Sequence, residues 1–253
     1  MRLLVTRPEP DASEQGQKLG QLGLSALIEP LMEIEFLDVE GLDEAVLAAQ
    51  ALIATSRNGL RALARLPVIG QALHTPVLAV GPATARLASE MGFDEVHEGG
   101  GRAQDLLALA GAACQPARGP LLHLAGEELA FDLRGGVEAQ GFVVIQPVLY
   151  RATAKSELSV AAKNELESGT LAGVILMSPR TAKTYARLIA EADLEEAIGP
   201  VMHFCLSEAV AEQLSGDPEP RYLVAKRPRE DDLLALIAKH AADCQSAAQK
   251  VSR

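Results

Sequence analysis

Aromatic residues and cysteines are scarce in this sequence. There is no tryptophan, and there are three tyrosines and five phenylalanines among 253 residues, although 48% of the chain is hydrophobic. A core must therefore be built from aliphatic side chains, and the chain is long enough for one large core or two smaller ones. The three cysteines, Cys114, Cys205 and Cys244, are far apart and form no CxxC or Cys/His spacing. This pattern argues against a disulfide framework and against a zinc site, so we expect no bound metal.

Positive charge is also in short supply. The chain has 23 Lys and Arg against 34 Asp and Glu, and its formal net charge is -11. Nucleic acids and anionic membranes are bound through clustered Lys and Arg, so we expect neither as a partner. A small anionic ligand remains compatible, because it responds to the local field in a cleft. No apolar run reaches transmembrane length, and the run in MRLLVTRPEP is too short for a signal peptide, so we expect a cytoplasmic protein.

Short apolar runs alternate with Ala/Leu-rich segments along the chain. The runs are typical of buried strands, and the segments have the periodicity of helices. The predicted strands are 3–6, 26–28, 51–55, 77–80, 120–124, 143–148, 173–177 and 201–206. The predicted helices are about 10–22, 58–66, 83–91, 103–113, 128–140, 181–191, 208–215 and 230–242. Strands that alternate with helices of this length predict an α/β fold with parallel sheets.

The sequence also repeats itself. LIATSRNGLRALARL at 52–66 is similar to VILMSPRTAKTYARL at 174–188, at an offset of 122 (174 − 52). We therefore predict two similar α/β units. LMEIEFLD at 31–38 and VIQPVLYRAT at 144–153 break the alternation. Either they connect the two units, or they are ordinary edge strands.

Polar turns follow the predicted strands at four matched positions. These are Thr55-Ser56-Arg57, Gly81 to Thr84, Ser178 to Thr181, and Ser207-Glu208. Ligands of open α/β sheets bind beyond the carboxyl ends of strands, where helix N-termini present free N–H groups. Such turns suit a carboxylate or a phosphate. For any single serine, simple helix capping is the better explanation of the residue.

Three other features bear on a site. Arg7 and Arg180 lie just after predicted strands, either to hold a carboxylate or as solvated surface residues. Tyr150 lies in the second candidate connector, where its phenol either donates a hydrogen bond or is simply half-buried. His123 and His203 lie beside or within apolar runs, which predicts core positions.

Taken in order, these segments resemble the uroporphyrinogen-III synthase family. The matching parts run from LLVTRPEPDA through LIATSRNGLRAL, VLAVGPATARLASEMGF and VLYRAT to VILMSPRTAKTYARL, and they cover residue 3 to about residue 215. The resemblance implies two flavodoxin- or Rossmann-like domains with parallel sheets, joined by a two-stranded β ribbon. It implies a discontinuous domain of 1–34 and 152–253, an inserted domain of 38–147, and a ribbon of 31–38 with 146–153.

The resemblance also implies a reaction. Family members cyclise the linear tetrapyrrole hydroxymethylbilane, with loss of water and inversion of ring D through a spiro intermediate. The product is uroporphyrinogen III, the precursor of haem, sirohaem and corrinoids. No cofactor takes part, and we expect a monomer that acts on this small polycarboxylate. The alternatives are a non-catalytic two-lobed module that binds a small polyanion and, less well matched, a flavodoxin-like redox protein.

The expected site residues come from the resemblance and from the strand-end turns. The family's ribbon tyrosine corresponds to Tyr150, which is expected to help the hydroxyl leave, and a family threonine that contacts substrate corresponds to Thr84. The expected substrate-binding set is Thr6, Arg7, Ser56, Gly81, Pro82, Thr84, Gly126, Ser178, Arg180 and Ser207. One turn departs from the family pattern, because LSEAVA carries Ala209 and Val210 where threonines are common.

Overall fold

A computed structural model of the chain describes residues 1–129, 131–214 and 219–251. Residues 130, 215–218, 252 and 253 lie outside the described residues, although they fall in the predicted segments 128–140, 208–215 and 152–253. The strands are β1 Arg2–Val5, β2 Ser25–Ile28, β3 Met32–Phe36, β4 Ala51–Ala54, β5 Val77–Ala79, β6 Val96–Glu98, β7 Leu121–His123, β8 Ala125–Gly126, β9 Val144–Ile145, β10 Val148–Ala154, β11 Gly173–Leu176, β12 Met202–Cys205 and β13 Tyr222–Val224. The helices are α1 Asp11–Gln21, α2 Leu42–Ala48, α3 Arg57–Leu63, α4 Ile69–Ala72, α5 Pro82–Glu90, α6 Asp105–Ala113, α7 Leu133–Glu138, α8 Val160–Glu167, α9 Pro179–Glu191, α10 Glu195–Ile198, α11 Glu208–Ala211 and α12 Glu230–Val251.

The chain divides into two compact units. The first contains Met1–Glu33 and Thr153–Arg253, and the second contains Ile34–Ala152. The five-stranded sheet of the first unit has the order β13-β12-β11-β1-β2, and that of the second has the order β6-β5-β4-β7-β9. The strand pairs in both sheets are parallel. The predicted α/β class with parallel sheets is therefore confirmed.

The central strands are buried on both faces. Every residue of β4, β5, β11 and β12 is buried, and each unit has one apolar cluster on either side of its sheet. Helices that cover both faces of a parallel sheet produce this pattern, in which a strand is continuously apolar instead of alternating. That is why short runs rich in Leu, Val, Ile and Ala identified β4, β5 and β11 in the sequence.

Strands that match in the internal repeat occupy the same positions in the two sheets, although the order of the strands along the chain differs between the units. β4 and β11 each occupy the third position in their sheet, and they begin at Ala51 and Gly173, 122 residues apart (173 − 51). The next strands, β5 and β12, begin at Val77 and Met202, 125 residues apart (202 − 77). Matching residues of the repeat therefore lie at the same edge of their own sheet.

A third sheet contains the segments that break the α/β alternation. Its order is β3-β10-β8. Leu37 N donates to Leu149 O at 2.9 Å and Lys155 N donates to Leu31 O at 2.9 Å, so β3 and β10 run antiparallel. Two acidic residues of β3 form ion pairs with basic residues in or just after β10. Glu35 pairs with Arg151, and Glu33 pairs with Lys155. The chain passes between the units in β3 and in β10, and the short strand β8 is an addition that the sequence pattern did not predict.

Some peripheral helices were predicted with the wrong bounds, and some peripheral helices and strands were not predicted at all. The helix expected at about 128–140 begins only at Leu133, where the side chain of Asp132 accepts a hydrogen bond from Gly135 N at 2.9 Å. The helix expected over 208–215 ends at Ala211. Besides β8, six further helices and strands among the described residues were not predicted, namely α2, α4, α8, α10, β6 and β13. They are three to eight residues long, so they offer few turns or alternations for a periodic pattern to register.

Candidate functional site

The polar turns lie at the carboxyl edge of each parallel sheet. In the second unit, Thr55 and Ser56 follow β4, Gly81 follows β5 by one residue, and Gln146 follows β9. In the first unit, Thr6 and Arg7 directly follow β1. One residue separates Ser178 from the end of β11, and one residue separates Ser207 from the end of β12. This edge is where open α/β sheets bind ligands.

In the second unit the structure brings Ser56, Gly126 and Tyr150 together. Tyr150 lies in β10 opposite Gly126 of β8 and is partly buried, and its phenol is hydrogen-bonded to the side chain of Ser56. Burial raises the pKa of the Tyr150 phenol, and the bond to Ser56 lowers that pKa by a smaller amount. The phenol is therefore neutral at physiological pH and keeps a proton with which it can donate a hydrogen bond.

This arrangement requires a residue without a side chain at position 126. A Cβ atom on Gly126 would lie 2.7 Å from Cζ, 2.8 Å from Cε2 and 2.9 Å from Oη of Tyr150. These distances are shorter than real Cβ contacts, so any larger residue would push the phenol away. Position 126 thus fixes the place of the Tyr150 ring through direct contact with the backbone.

Ser56 is held by the first turn of α3. Its backbone is extended, and its hydroxyl accepts a hydrogen bond from Asn58 N at 3.2 Å, which caps the helix. Gly59 lets this turn approach the end of β7, because a Cβ atom there would lie 2.5 Å from Leu124 O. Ser56 therefore has the capping role, which is one of the two alternatives that the sequence left open.

A buried histidine lies beside this cluster. His123 is 1% exposed; its Nε2 lies 3.1 Å from Thr55 Oγ1, and its Nδ1 lies 3.0 Å from Gln146 Oε1. Burial lowers the pKa of His123, and the bond to Gln146 offsets part of this effect. The predicted core position is correct, but the sequence pattern did not reveal that His123 joins the turn after β4 to the end of β9.

The VGPAT turn also belongs to the second unit. Gly81 precedes α5 in an extended conformation, Pro82 is the first helical residue, and Thr84 is 5% exposed in the first turn. The backbone N–H groups of Thr84 and Ala85 donate to Gly81 O at 3.1 and 3.0 Å. The glycine-rich loop after β6 packs on this turn, with Gly101 N donating to Val80 O at 2.8 Å. Proline at the first helical position removes one unsatisfied N–H, which explains why Gly-Pro begins the helix.

In the first unit, Arg7 and Thr6 already have partners. Arg7 pairs with Glu230 at 2.9 Å and with Asp11 at 3.0 Å, and Lys18 pairs with Glu230 at 2.5 Å. Two acidic groups therefore balance two basic ones at this position. Thr6 is fully buried and its hydroxyl donates to Ile175 O at 2.6 Å, so its side chain ties β1 to β11. Glu230 is a charged residue near the strand ends that sequence reasoning missed, because its helix lies far along the chain.

The two serines of the first unit differ from each other. Ser178 caps α9, since its hydroxyl accepts from Thr181 N at 3.1 Å and lies 2.8 Å from Thr181 Oγ1. Ser207 precedes α11 and makes no side-chain capping bond. Arg180 is the second residue of α9 and is partly exposed. The structure thus places these three predicted residues at the carboxyl edge of the first unit's sheet.

Two features are absent from the parts of the chain that the structure describes, namely a cluster of metal ligands and a membrane-spanning helix. In 1–129, 131–214 and 219–251, no three His, Cys, Asp or Glu side chains are grouped so that they could hold a metal ion. Over the same ranges, no helix is both long enough and apolar enough to cross a bilayer.

Comparisons with known proteins agree on one family. The family model described as uroporphyrinogen-III synthase HemD matches residues 13–235. No curated protein matched the sequence significantly. Among solved structures, the chain is similar to uroporphyrinogen-III synthetase from Helicobacter pylori, with a TM-score of 0.61, 20% identity and coverage of 94% of this chain and 98% of that one. It is also similar to a mutant uroporphyrinogen III synthase from Thermus thermophilus, with a TM-score of 0.53, 18% identity and coverage of 96% and 99%. At these identities the structural likeness establishes the fold.

Proposed function

The chain belongs to the uroporphyrinogen-III synthase family of tetrapyrrole biosynthesis, and we propose that it cyclises hydroxymethylbilane to uroporphyrinogen III with loss of water and inversion of ring D. The observation that carries this proposal is the neutral phenol of Tyr150, held by Ser56 and seated against Gly126. The proposed reaction class is that of a cyclising hydro-lyase. No step in it requires an oxidant, a reductant or a group carrier.

Tyr150 is the proposed catalytic residue. Its phenol donates a hydrogen bond to the hydroxyl of the substrate as the carbon–oxygen bond breaks. The hydroxyl takes up a proton from solvent and leaves as water, and a pyrrole nitrogen of the substrate releases a proton as the ring closes. A phenol whose pKa is raised by burial is a weak acid, so its main contribution is a fixed hydrogen-bond donor and not free acidity. Hydroxymethylbilane also loses this hydroxyl without an enzyme, when it closes to the uninverted type I isomer. Assistance to the leaving group is therefore a modest part of the catalysis.

Orientation is the larger task. Formation of the spiro intermediate requires the substituted carbon of ring D to meet the terminal carbon on ring A, and the linear chain must be held in that geometry. Correct positioning of reacting groups contributes about 7–11 kcal/mol in favourable cases. The proposed contacts hold the substrate in this geometry by binding its carboxylate arms, with no covalent bond to the protein.

The strand-end turns are the proposed carboxylate contacts. Backbone N–H groups at a helix N-terminus favour an anion through hydrogen bonding and through the helix dipole. We assign this role to the turns that begin α3, α5 and α9, which carry Ser56, Gly81, Pro82, Thr84, Ser178 and Arg180. Ser207 is included because its hydroxyl is not used for capping. Arg7 must exchange a partner to bind substrate, and Thr6 supports the sheet and is not included in the set.

The proposal is tested by product analysis. The purified protein is supplied with enzymatically generated hydroxymethylbilane, and the type III and type I uroporphyrinogens are separated after oxidation. We expect type III in excess, formed over many turnovers by a purified preparation that contains no added cofactor. Type I alone, formed at the rate of the protein-free control, would reject the function. Tight binding without conversion would support the non-catalytic polyanion-binding module.

A further inference from the structure

Three side chains form a continuous hydrogen-bonded row across the carboxyl edge of the second unit's sheet. Gln146 follows β9, His123 ends β7 and Thr55 follows β4, and β7 lies between β9 and β4. The distances are 3.0 Å from Gln146 Oε1 to His123 Nδ1 and 3.1 Å from His123 Nε2 to Thr55 Oγ1. The row therefore spans three neighbouring strands at the level where they end.

The row has a defined arrangement of protons. The amide oxygen of Gln146 is an acceptor only, so Nδ1 of His123 must carry a hydrogen. Burial lowers the pKa of His123 and keeps the ring neutral, so Nε2 carries a lone pair. The hydroxyl of Thr55 then donates to Nε2. Gln146 thus selects the tautomer, and the tautomer fixes the direction of the Thr55 hydroxyl.

Thr55 is joined by one peptide bond to Ser56, which holds the Tyr150 phenol. The backbone next to His123 is also tied to β4, because Leu124 N donates to Ile53 O at 2.9 Å. We propose that His123 is a positioning residue, which fixes the Thr55–Ser56 turn through Nε2 and so places Ser56 against Tyr150. The chain of contacts runs Gln146, His123, Thr55, Ser56, Tyr150.

His123 itself does not act on the substrate. Its side chain is 1% exposed, and both ring nitrogens have partners inside the unit. Its effect on the reaction therefore passes through Ser56 and Tyr150. This inference rests on the proposed function only where turnover is measured, because the placement of the Tyr150 phenol can be observed without substrate.

Two amide variants separate the two halves of the imidazole. In His123→Gln, the amide oxygen reaches the position of Nε2 and still accepts from Thr55. In His123→Asn, the shorter amide reaches only the position of Nδ1, so the bond to Gln146 is kept and the bond to Thr55 is lost. We expect His123→Asn to lower kcat between about 10- and 100-fold and to lower the share of type III product, because a small misplacement of a catalytic group is costly. We expect KM to change by a smaller factor than kcat, because Ser56 is only one of several proposed carboxylate contacts. We expect His123→Gln to keep most of the turnover, because its amide oxygen still accepts from Thr55.

A second pair of variants, at Thr55, tests the same contact in case a His123 variant does not fold. Thr55→Val has nearly the shape of threonine without the hydroxyl, and Thr55→Ser keeps the hydroxyl. We expect Thr55→Val to behave like His123→Asn and Thr55→Ser to behave like the parent protein. Thermal unfolding of all four variants shows which of them are folded before their kinetics are compared.

The substrate-free readout is the NMR signal of tyrosine Cζ. The chain has three tyrosines, so a sample labelled with carbon-13 at this atom gives three signals, assigned with single Tyr→Phe variants. We expect the Tyr150 signal to move in His123→Asn and Thr55→Val and to stay in place in His123→Gln and Thr55→Ser. The signals of Tyr185 and Tyr222 should be unchanged throughout. If the Tyr150 signal does not move in folded His123→Asn and Thr55→Val, the positioning role is overturned, whatever the enzyme assay gives. If the signal moves in these variants but the parent protein forms no type III product, only the proposed function is rejected.

Discussion

The phenol of Tyr150 and the side chain of Ser56 share a hydrogen bond within the unit formed by Ile34–Ala152. Ser56 begins a helix and Tyr150 lies in a strand almost a hundred residues later in the chain (150 − 56 = 94). The bond is possible because Gly126 leaves room for the ring and Gly59 lets the helix approach the sheet.

Replacement of Tyr150 by phenylalanine removes the proposed donor and leaves the ring in place. We expect turnover to fall between about 10- and 100-fold, toward the low end of the range for a general acid, because the hydroxyl leaves readily without help. The melting temperature should change little, because Ser56 loses its bond to the phenol but still caps α3. The matched control is Tyr222→Phe on the exposed edge strand β13, which should have parental activity. Parental turnover in Tyr150→Phe would remove the phenol from the mechanism.

Replacement of Gly126 by alanine tests the seat of the ring. The new Cβ atom would collide with Tyr150, so the ring must move or the strands must separate. We expect a loss of type III product and a destabilisation of about 1–3 kcal/mol, as for other overpacked sites. Gly70→Ala is the control, because a Cβ atom on Gly70 meets nothing within 4 Å and the residue lies in a helix. Chemical denaturation and the isomer assay give the two readouts, and equal behaviour of the two variants would contradict the steric account.

The serines of the first unit give a prediction about stability. Ser178 caps α9 with its hydroxyl, whereas Ser207 makes no side-chain capping bond at α11. We expect Ser178→Ala to lower the free energy of unfolding by about 1 kcal/mol and Ser207→Ala to change it by much less. Urea unfolding of both variants measures the difference. If Ser207→Ala proved as costly as Ser178→Ala, the assignment of the Ser207 hydroxyl to substrate binding would lose its basis.

Acid should destabilise the fold through two buried histidines. His203 is fully buried, its Nδ1 lies 3.0 Å from Arg221 O and its Nε2 lies 3.2 Å from the Tyr185 hydroxyl. Burial lowers the pKa of His203 and of His123 below that of a free imidazole. A depressed pKa in the folded state means that the unfolded chain binds the proton first, so stability is complete above about pH 6.5 and falls as pH decreases below it.

The pH effect is measured by comparing urea midpoints at pH 7.5 and pH 5.5. We expect a lower midpoint at pH 5.5 and a smaller difference in His203→Gln, because glutamine does not titrate and its amide can still accept from Tyr185. The parent protein, measured beside the variant at both pH values, is the reference. An undiminished difference in His203→Gln would show that other groups cause the acid sensitivity.

The central layers of the fold could be predicted because burial on both faces leaves a clear sequence signal. β4 and β11 are unbroken apolar runs followed by a serine that caps a helix, and they recur at a constant offset. Strand β8 could not be predicted, because two residues, Ala125 and Gly126, carry no periodicity. The amphipathic pattern of the short helices α2 and α8 was too weak to register for the same reason.

The site was predicted in part. Ser56, Gly126 and Tyr150 could be proposed singly, from turn chemistry and from the resemblance to the family, but their contact depends on the pairing of β10 with β8. Glu230 could not be connected with Arg7, because the ion pair joins residues 223 apart in sequence. The row through His123 likewise depends on strand order, since an apolar run that ends in histidine indicates burial and says nothing about its hydrogen-bond partners.

The most direct measurement is the fraction of type III isomer in the total uroporphyrinogen as enzyme concentration is raised at a fixed supply of hydroxymethylbilane. Spontaneous closure gives type I at a rate independent of the protein. If the chain orients the substrate as proposed, the type III fraction rises with enzyme concentration and approaches completeness, while Gly126→Ala follows the same curve only at much higher concentration. A type III fraction that does not change with the concentration of the folded wild-type protein would contradict the account.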